Sequence, residues 1–417
     1  MAFLKKLYMN KHLNILVLIS SLTFIGCYKT DTKRSDNLRW SEEKIWNWYD
    51  NQPWLVGSNF ITSSSINQLE FWQSETFDTI LIEKELKLSA SIGMNTHRVY
   101  LHDLLWEQDS IGFMDRIDQF LSIADKYGIK TMLVFFDDVW HPYSSLGKQP
   151  EPIPHIHNSG WVQSPGVEIL TDILRHDSLE PYVKGIVSRF KDDNRVLSWD
   201  LYNEPAQHNG APRVSRERVI EIYENIGVTL TDEELPFYYR DKMEPTGYEK
   251  REFTLALLKK AFKWVREINP SQPLTVGIYD YFIDWDKFDE LLPMEKFILN
   301  NSDFISFHDY GNKESVLTRI KHLKVYNRPI VCTEYMARGN DSTFEDILPI
   351  FKENRIGSYN WGFVSGKTNT IYPWKSWDSI YTGPPKKWHH DIFYPNEEPF
   401  SYEEVELIKN LTSSVNN

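Results

Sequence analysis

Short and almost wholly apolar segments recur along the chain, and longer amphipathic stretches separate them. Such segments are typical of buried parallel strands, which other elements cover on both faces. Eight of them predict strands at 54–60, 95–101, 130–136, 196–202, 273–279, 304–308, 329–333 and 356–361. Their regular alternation with helix patterns predicts an α/β fold with a parallel sheet.

Helical periodicity fills the intervals between these strands. Phe113, Ile117, Phe120, Leu121 and Ala124 follow one another at spacings of four, three, one and three, which places them on one helix face. Other amphipathic stretches predict helices at 80–92, 179–190, 252–268, 288–299, 314–326, 343–354 and 402–411. Eight strands, each followed by a helix, predict a (β/α)₈ TIM barrel. The alternative, a doubly wound open sheet, usually shows a Gly-rich phosphate loop after an early strand, and this sequence has none there.

Two predicted connections are much longer than the usual length of about 2–6 residues. One runs over 137–177 after the third strand, and the other over 206–250 after the fourth. Both leave the carboxyl ends of strands, which is the face where barrel enzymes carry their active sites. We expect these loops to form substrate walls, with an oligomer contact as the alternative for the charged second loop.

The amino-terminal segment has the pattern of an export signal. Lys5, Lys6 and Lys11 precede an apolar run over 13–25, and this order is typical of a secretory signal peptide. The run is too short for a comfortable membrane span of about 20 residues. We therefore expect an exported protein whose signal ends near residue 26.

A cysteine follows this segment directly. Phe24-Ile25-Gly26-Cys27 resembles a bacterial lipobox, in which the cysteine becomes lipidated after cleavage. This resemblance implies a signal peptide over 1–26, a tether over 27–39 and one (β/α)₈ catalytic domain over 40–417. The expected location is the cell envelope, with Cys27 anchored by lipid in the outer membrane. Plain secretion is the alternative.

Composition narrows the classes of partner. The 417 residues include 46 basic and 59 acidic side chains, so the net charge of −13 argues against nucleic acid and anionic membrane surfaces as partners. The 15 Trp, 22 Tyr and 23 Phe indicate either a large aromatic core or a sugar-binding surface. Beyond Cys27 the only cysteine is Cys332, which the strand pattern places in the core, so a disulfide framework within the chain is excluded.

Two glutamates stand at the ends of predicted strands. Glu204 lies in Asn203-Glu204-Pro205 after the fourth strand, and Glu334 follows the seventh strand. The fourth and seventh strand ends of an eight-stranded barrel face each other across its mouth. A lone glutamate after a strand is usually a solvated loop residue, but this pair predicts a shared active site.

These residues carry a resemblance to a known group of enzymes. The chain resembles the clan A glycoside hydrolases and is similar to their family 5 cellulase and mannanase group. The resemblance implies that Glu204 is the acid/base, that Glu334 is the nucleophile and that Asn203 binds the sugar 2-hydroxyl. It also implies that Arg98 holds the nucleophile.

The same resemblance extends to three further strand ends. His308-Asp309-Tyr310 matches a His-x-Tyr pair at the end of the sixth strand. Trp361 matches a tryptophan that forms the floor of the −1 subsite. The third strand departs from the family, because it ends in Phe136-Asp137-Asp138 where family 5 often has a histidine. Asp137 is therefore a candidate substrate contact at that position.

The implied chemistry explains these residue types. A retaining glycosidase places two carboxyl groups about 5–5.5 Å apart, one as an ionised nucleophile and the other as a protonated acid. The negative charge of Glu334 and partial burial are expected to raise the pKa of Glu204. This double displacement requires neither a metal nor an organic cofactor.

Several other residues are weaker candidates. His102 and Asn59 lie at predicted strand ends, and Trp140 lies in the first long loop. Trp161, Trp374 and Trp377 would line sugar subsites or simply pack. The pairs His155-x-His157 and His389-His390 are weak indications of a metal, because no Cys or carboxylate cluster accompanies them.

The sequence therefore predicts an exported retaining β-glycosidase that acts on a polysaccharide or its oligosaccharides. A surface glycan-binding lipoprotein on a catalytically dead barrel is the alternative from another class of protein. It would have no need to keep Glu204, Glu334, Asn203 and Arg98 together. A transglycosylase is the third candidate.

Overall fold

Parallel strands form the centre of the molecule. The computed structural model describes residues 39–207, 216–231, 247–279 and 283–413. The strands are β1 (Val56–Asn59), β2 (Thr96–Tyr100), β3 (Lys130–Asp137), β4 (Val196–Asn203), β5 (Leu274–Thr275), β6 (Gly277–Ile278), β7 (Ile305–His308), β8 (Ile330–Tyr335) and β9 (Gly357–Asn360). Their order in the sheet is β5-β4-β3-β2-β1-β9-β8-β7-β6, and every pair is parallel.

This order gives a nearly closed barrel with eight positions. β5 pairs with β4, and β6 pairs with β7, so these two short strands share the fifth position on either side of Val276. All eight predicted strands are present, and the predicted TIM barrel is confirmed. The seventh predicted strand is β8, which carries Glu334.

Helices follow the strands around the barrel. They are α1 (Glu42–Asp50), α2 (Gln68–Trp72), α3 (Thr79–Ser91), α4 (Asp103–Lys126), α5 (Val167–Leu170), α6 (Glu180–Phe190), α7 (Arg216–Asn225), α8 (Gly247–Ile268), α9 (Pro293–Asn301), α10 (Lys313–Lys324), α11 (Phe344–Glu353) and α12 (Tyr402–Ser413). Short 3₁₀ turns occur at Ile173–Leu179, Phe288–Glu290, Arg338–Asn340 and Trp374–Trp377. The predicted helices correspond to α3, α4, α6 and α8–α12, whereas α1, α2, α5 and α7 were not predicted.

The helices begin and pack for identifiable reasons. The Asp78 carboxylate accepts hydrogen bonds from the first free N–H groups of α3, and the Thr343 hydroxyl does the same for α11. On α4, the five apolar residues that predicted a helix face are all buried. That face packs into the main core between the barrel and the surrounding helices.

The two ends of the barrel differ in chemistry. Its amino end is filled by apolar side chains, including Leu197 and Val331, which pack against Trp40, Ile45 and Tyr49. Ile45 and Tyr49 belong to α1, so this helix covers the amino end of the barrel. The polar cavity described below lies at the carboxyl end, as is usual for barrel enzymes.

The long connections lie at the carboxyl end. The connection after β3 contains α5 and is tied to the end of β3 by the backbone bridge between Asp137 and Ser164. The connection after β4 contains α7, and its residues 208–215 and 232–246 lie outside the described part of the chain. Val219 and Ile222 of α7 pack with Ile153 of the first connection.

The predicted signal peptide, the tether up to residue 38 and Cys27 lie outside the described residues. From residue 39 onward, the described residues belong to one compact unit. Within these ranges, the structure contains no helix with the length and apolar character needed to span a membrane.

Candidate active site

Glu204 and Glu334 meet in one cavity at the carboxyl end of the barrel. One oxygen from each carboxylate and one ring nitrogen of His308 lie within 4.8 Å of one another. The glutamate side chains are only 12% and 5% exposed, respectively. The cavity has a volume of about 400 Å³ and is lined by Val139, Trp140, His157, Asn158, Asn203, Glu204, Gln207, Tyr279, Tyr310, Gly311, Ser315, Glu334, Asn340, Trp361, Trp374 and His390.

Three donors surround the Glu334 carboxylate. Nη1 of Arg98 and the Tyr100 hydroxyl each donate to Oε1 at 2.9 Å, and the Tyr310 hydroxyl donates to Oε2 at 2.7 Å. Burial raises the pKa of both tyrosines well above the usual value, so their hydroxyls stay protonated and able to donate. These three groups hold both oxygens of the Glu334 carboxylate in place.

Arg98 is itself fixed by a buried network. Its guanidinium lies 2.8 Å from Asp200 Oδ2, and it donates to Asn59 Oδ1 at 2.9 Å and to Asn203 Oδ1 at 2.8 Å. Because the side chains of Arg98 and Asp200 are fully buried, each charge needs the other as its partner. This network holds the cation in one place beneath Glu334.

Glu204 has different surroundings. Nδ1 of His308 lies 2.9 Å from Glu204 Oε1, and the Gln207 amide donates to Oε2. Burial raises the pKa of Glu204 to about 7, although the Gln207 hydrogen bond and the Arg98 charge oppose this rise. Burial lowers the pKa of His308 to about 4, so the imidazole is neutral at pH 7. Of the two causes that the sequence suggested, burial therefore raises the pKa of Glu204, and the charge of Glu334 is not among the causes.

The backbone after β4 aims Glu204 into the cavity. Glu204 and Ala206 adopt φ values of 40° and 61°, in the left-handed region that non-glycine residues rarely occupy. The Asp138 carboxylate accepts from the Ala206 N–H at 2.6 Å and from the Tyr202 hydroxyl at 2.8 Å. Asp138 therefore holds the turn that carries the acid/base candidate.

Asp137 lies beneath the cavity and does not line it. Its Oδ1 accepts from Asn203 Nδ2 at 3.0 Å and from the Val139 N–H at 2.9 Å, while Oδ2 accepts from Trp161 Nε1 at 2.7 Å. Asp137 is fully buried, and burial raises the pKa of its carboxyl well above the usual range. The structure thus gives it a role in positioning Asn203, where the sequence suggested a substrate contact.

The other predicted site residues differ in their position relative to the cavity. Trp140 and Trp361 line the cavity together with Glu204, Glu334, Asn203 and Tyr310. Asn59 and Arg98 lie below it, and His308 reaches the site through Glu204. His102 is elsewhere, because its Nδ1 caps α4 by accepting from the Leu104 N–H.

Sequence reasoning missed several residues of the site. Tyr100 contacts Glu334, and it lies two residues after Arg98 on β2, a spacing that places both on the same strand face. The sequence therefore contained a pattern from which Tyr100 could have been identified as a site residue. Gln207 had no comparable signal, because it follows an irregular turn, and the sequence singled out His390 only as part of a weak metal pair.

The cluster of Glu204, His308 and Glu334 has the spacing of a metal site. Nη1 of Arg98 lies 2.9 Å from the same Glu334 carboxylate, however, and this fixed positive charge disfavours a second cation there. The suspected histidine pairs are not members of that cluster, although His157 and His390 line the same cavity. The rings of His157, His389 and His390 pack around one another beside Trp374.

Comparison with known proteins gives one family. The family model described as cellulase (glycosyl hydrolase family 5) matches residues 58–366, well over half of the chain. That range includes both glutamates and all of the strands except the first two residues of β1.

The curated sequence relatives have names that are more specific than the family description. The chain is 29% identical over 105 residues to a probable mannan endo-1,4-β-mannosidase A-1 from Aspergillus terreus, a match that covers 24% of each protein. It is 29% identical over 97 residues to mannan endo-1,4-β-mannosidase 7 from Arabidopsis thaliana, covering 21% of this chain and 22% of that protein. The chain thus spans about a quarter of the length of the curated relatives it matches.

Solved structures share the fold. An exo-β-1,4-mannosidase from Opitutaceae bacterium strain TAV5 aligns with a TM-score of 0.52 and 15% identity, over 87% of this chain and 60% of its own. A β-mannanase from the blue mussel Mytilus edulis aligns with a TM-score of 0.50 and 13% identity, over 87% and 92%. At these identities the likeness concerns the barrel alone.

Proposed function

Because the chain belongs to glycosyl hydrolase family 5 and is a glycosidase, we propose that it cleaves β-glycosidic bonds by double displacement, with Glu334 as nucleophile and Glu204 as acid/base. The observation that carries this proposal is the approach of the two carboxylates to within 4.8 Å. Retaining enzymes have carboxyl separations of about 5–5.5 Å, whereas inverting enzymes need about 6.5–9.5 Å for an intervening water.

In the first step, an oxygen of Glu334 attacks the anomeric carbon while the glycosidic bond breaks. Glu204 gives its proton to the departing oxygen, and a pKa of about 7 leaves it largely protonated below neutral pH. The donors around Glu334 orient the nucleophile before the attack. The product of this step is a glycosyl ester on Glu334 and a free leaving group.

In the second step, the Glu204 carboxylate takes a proton from water, whose oxygen attacks the anomeric carbon. The ester bond to Glu334 breaks, and the carboxylate returns with its hydrogen bonds from Arg98 and Tyr310 restored. Two inversions give net retention of the β configuration, and the reaction needs no cofactor.

The amide of Asn203 is already oriented for the sugar. Its Oδ1 accepts from Arg98 at 2.8 Å, and one hydrogen of Nδ2 is donated to Asp137. The second Nδ2 hydrogen remains to donate to a sugar hydroxyl, since an amide nitrogen carries two donors. Asn203 lines the cavity beside both glutamates, so the 2-hydroxyl of the −1 sugar is the expected acceptor.

We propose a β-1,4-linked mannan or manno-oligosaccharide as the substrate. The sequence left the sugar open, and the mannosidase names of the curated relatives support this choice. The test compares hydrolysis of aryl β-mannoside, β-glucoside and β-galactoside, each with wild type and with Glu334→Gln. We expect the wild type to hydrolyse the mannoside and Glu334→Gln to be inactive. Transfer of the glycosyl group to an acceptor sugar in place of water would favour the transglycosylase.

We also propose that the enzyme is exported and anchored through lipidated Cys27, on the basis of the amino-terminal sequence pattern. Cells that express the full chain would be fed an alkyne fatty acid, and labelled protein would be detected after conjugation to a dye. Wild type is expected to take up the label, and Cys27→Ser to lose it. An unlabelled wild type that is found in the medium would indicate plain secretion.

A further inference from the structure

Two segments that are distant in sequence join to form one side of the cavity. We call this side the wall, and it consists of residues 153–158, from the connection after β3, and residues 368–381, which follow β9. The Asn158 N–H donates to the Thr368 carbonyl at 2.7 Å, and the His157 N–H donates to Ser376 Oγ at 2.9 Å. Three side-chain bonds add to these: His157 Nδ1 to Tyr372 O (2.8 Å), Asn369 Nδ2 to Ile153 O (3.1 Å) and His155 Nδ1 to Tyr381 O (2.6 Å).

An apolar cluster supports the wall from behind. Trp377 of the wall stacks on Trp140 with ring centroids 5.0 Å apart and an interplanar angle of 15°. Ile153 and Ile156 pack into the same cluster, together with Val219 of α7. The wall is therefore a packed element held by hydrogen bonds and buried aromatic area, and it cannot swing aside without losing both.

The wall stands on the nucleophile side of the site. The ring of Trp374 lies 5.0 Å from that of Tyr310, which donates to Glu334. His157 and Trp374 both line the cavity. On the acid/base side, the cavity is lined by Gln207, which donates to Glu204.

These positions decide which part of a sugar chain meets the wall. The leaving group must lie next to the acid that protonates it, so the remainder of the chain extends from the Glu204 side. A further 1,4-linked sugar on the glycone side is attached at the ring end opposite the anomeric carbon, so it extends away from Glu204. Trp374, which lines the cavity beside Tyr310, is the wall residue in position to meet it. An enzyme that cuts within a chain needs room in both directions.

We propose that the wall closes the glycone side of the cavity, so that the enzyme is an exo-acting glycosidase that accepts only the non-reducing terminal residue of a β-linked chain. This inference rests on the proposed function and adds the substrate class to it. His157 is the polar group of the wall: its Nδ1 donates to the Tyr372 carbonyl, so the neutral ring presents Nε2 as an acceptor for a hydroxyl of the terminal residue. The curated relatives named above carry endo in their names, so the proposal separates this chain from them.

The test uses manno-oligosaccharides, or the sugar series that the wild type is found to hydrolyse. One hexasaccharide is left free, and a second carries a benzylidene group on its non-reducing end. From the free chain, single sugars and the chain shortened by one unit are expected as the first products, and the capped chain is expected to resist cleavage. Early mid-chain products, or equal rates for the capped and free chains, would overturn the proposal. If no β-glycoside of any length is hydrolysed, both the proposed function and the proposal of exo action are wrong.

A variant connects this behaviour to the wall. Trp374→Ala removes the ring next to Tyr310, and the ratio of capped-chain to free-chain cleavage is expected to rise by about tenfold. Trp46→Ala is the matched control, because Trp46 lies on α1 at the opposite end of the barrel. An unchanged ratio in folded Trp374→Ala would show that the wall does not set the mode of attack.

Discussion

The two glutamates of the active site occupy opposite surroundings. Glu334 accepts hydrogen bonds from a guanidinium and two tyrosine hydroxyls, so a fixed positive charge lies beside its carboxylate. Glu204 has a neutral imidazole and an amide as neighbours, and burial raises its pKa to about 7. The barrel brings two identical side chains to strand ends that face each other, and their different neighbours are the reason for proposing one as the nucleophile and the other as the acid.

The largest effect should come from removing the anion. Glu334→Ala leaves no nucleophile, so kcat should fall on the order of 10⁴-fold or more for every substrate, whatever its leaving group. Azide should restore turnover of an activated aryl glycoside and give the α-glycosyl azide, which NMR identifies. A β-glycosyl azide from this variant would reverse the roles of the two glutamates.

Removing the acid should have an effect that depends on the leaving group. Glu204→Ala should slow unactivated glycosides by about 10²–10⁴-fold, because their leaving oxygen needs a proton. Dinitrophenyl glycosides should lose much less in their first step, since their leaving group departs as an anion. Steady-state rates over a series of phenols measure this slope, and equal losses across the series would contradict the acid role.

The donors around the nucleophile should matter next. Tyr310→Phe removes one hydrogen bond to Glu334 and keeps the ring, so kcat should fall by about 10- to 100-fold, the value of a bond to a charged group. Tyr127→Phe is the matched control, because it removes a hydroxyl that bonds Glu83 on the surface. Equal activity of both variants would show that the Tyr310 hydroxyl does not support the nucleophile.

A smaller effect should follow from Asp137→Asn. The exchange keeps the shape of the side chain but weakens its acceptance of hydrogen bonds from Asn203 and Trp161. We expect a loss of about tenfold in kcat/KM for the normal glycoside and little loss for its 2-deoxy analogue, because Asn203 is the proposed partner of the 2-hydroxyl. Equal losses for both substrates would indicate a general structural defect instead.

The smallest effect is a displacement of the pH profile. The acid must be protonated at the start, so kcat/KM should fall as pH rises through about 7. Gln207 stabilises the Glu204 carboxylate by donating to it, so Gln207→Ala should raise the pKa of Glu204 and move this limb to higher pH. A shift to lower pH would mean that the amide acts on another group.

The sequence predicted the barrel and the meeting of Glu204 and Glu334 in one cavity because both follow from periodic or local sequence patterns. Buried parallel strands are short apolar runs, and Glu204 and Glu334 stand directly at their ends. No sequence pattern indicated the wall, because its two halves are more than 200 residues apart in the chain. Only tertiary contacts join them, such as the hydrogen bond between His155 and Tyr381. Asp137 was assigned to the substrate because a strand-end carboxylate has the same sequence pattern whether it faces the cavity or lies beneath it.

The most direct test is to trap the intermediate. A fluorine at C2 of an activated β-glycoside slows both the formation and the hydrolysis of the glycosyl ester. Because a good leaving group makes formation faster than hydrolysis, the ester accumulates. The enzyme would be incubated with the 2-deoxy-2-fluoro derivative of the sugar it hydrolyses, digested, and sequenced by mass spectrometry. We predict one added glycosyl group per chain, on Glu334; a label on Glu204, or turnover of this reagent without any ester, would contradict the assignment.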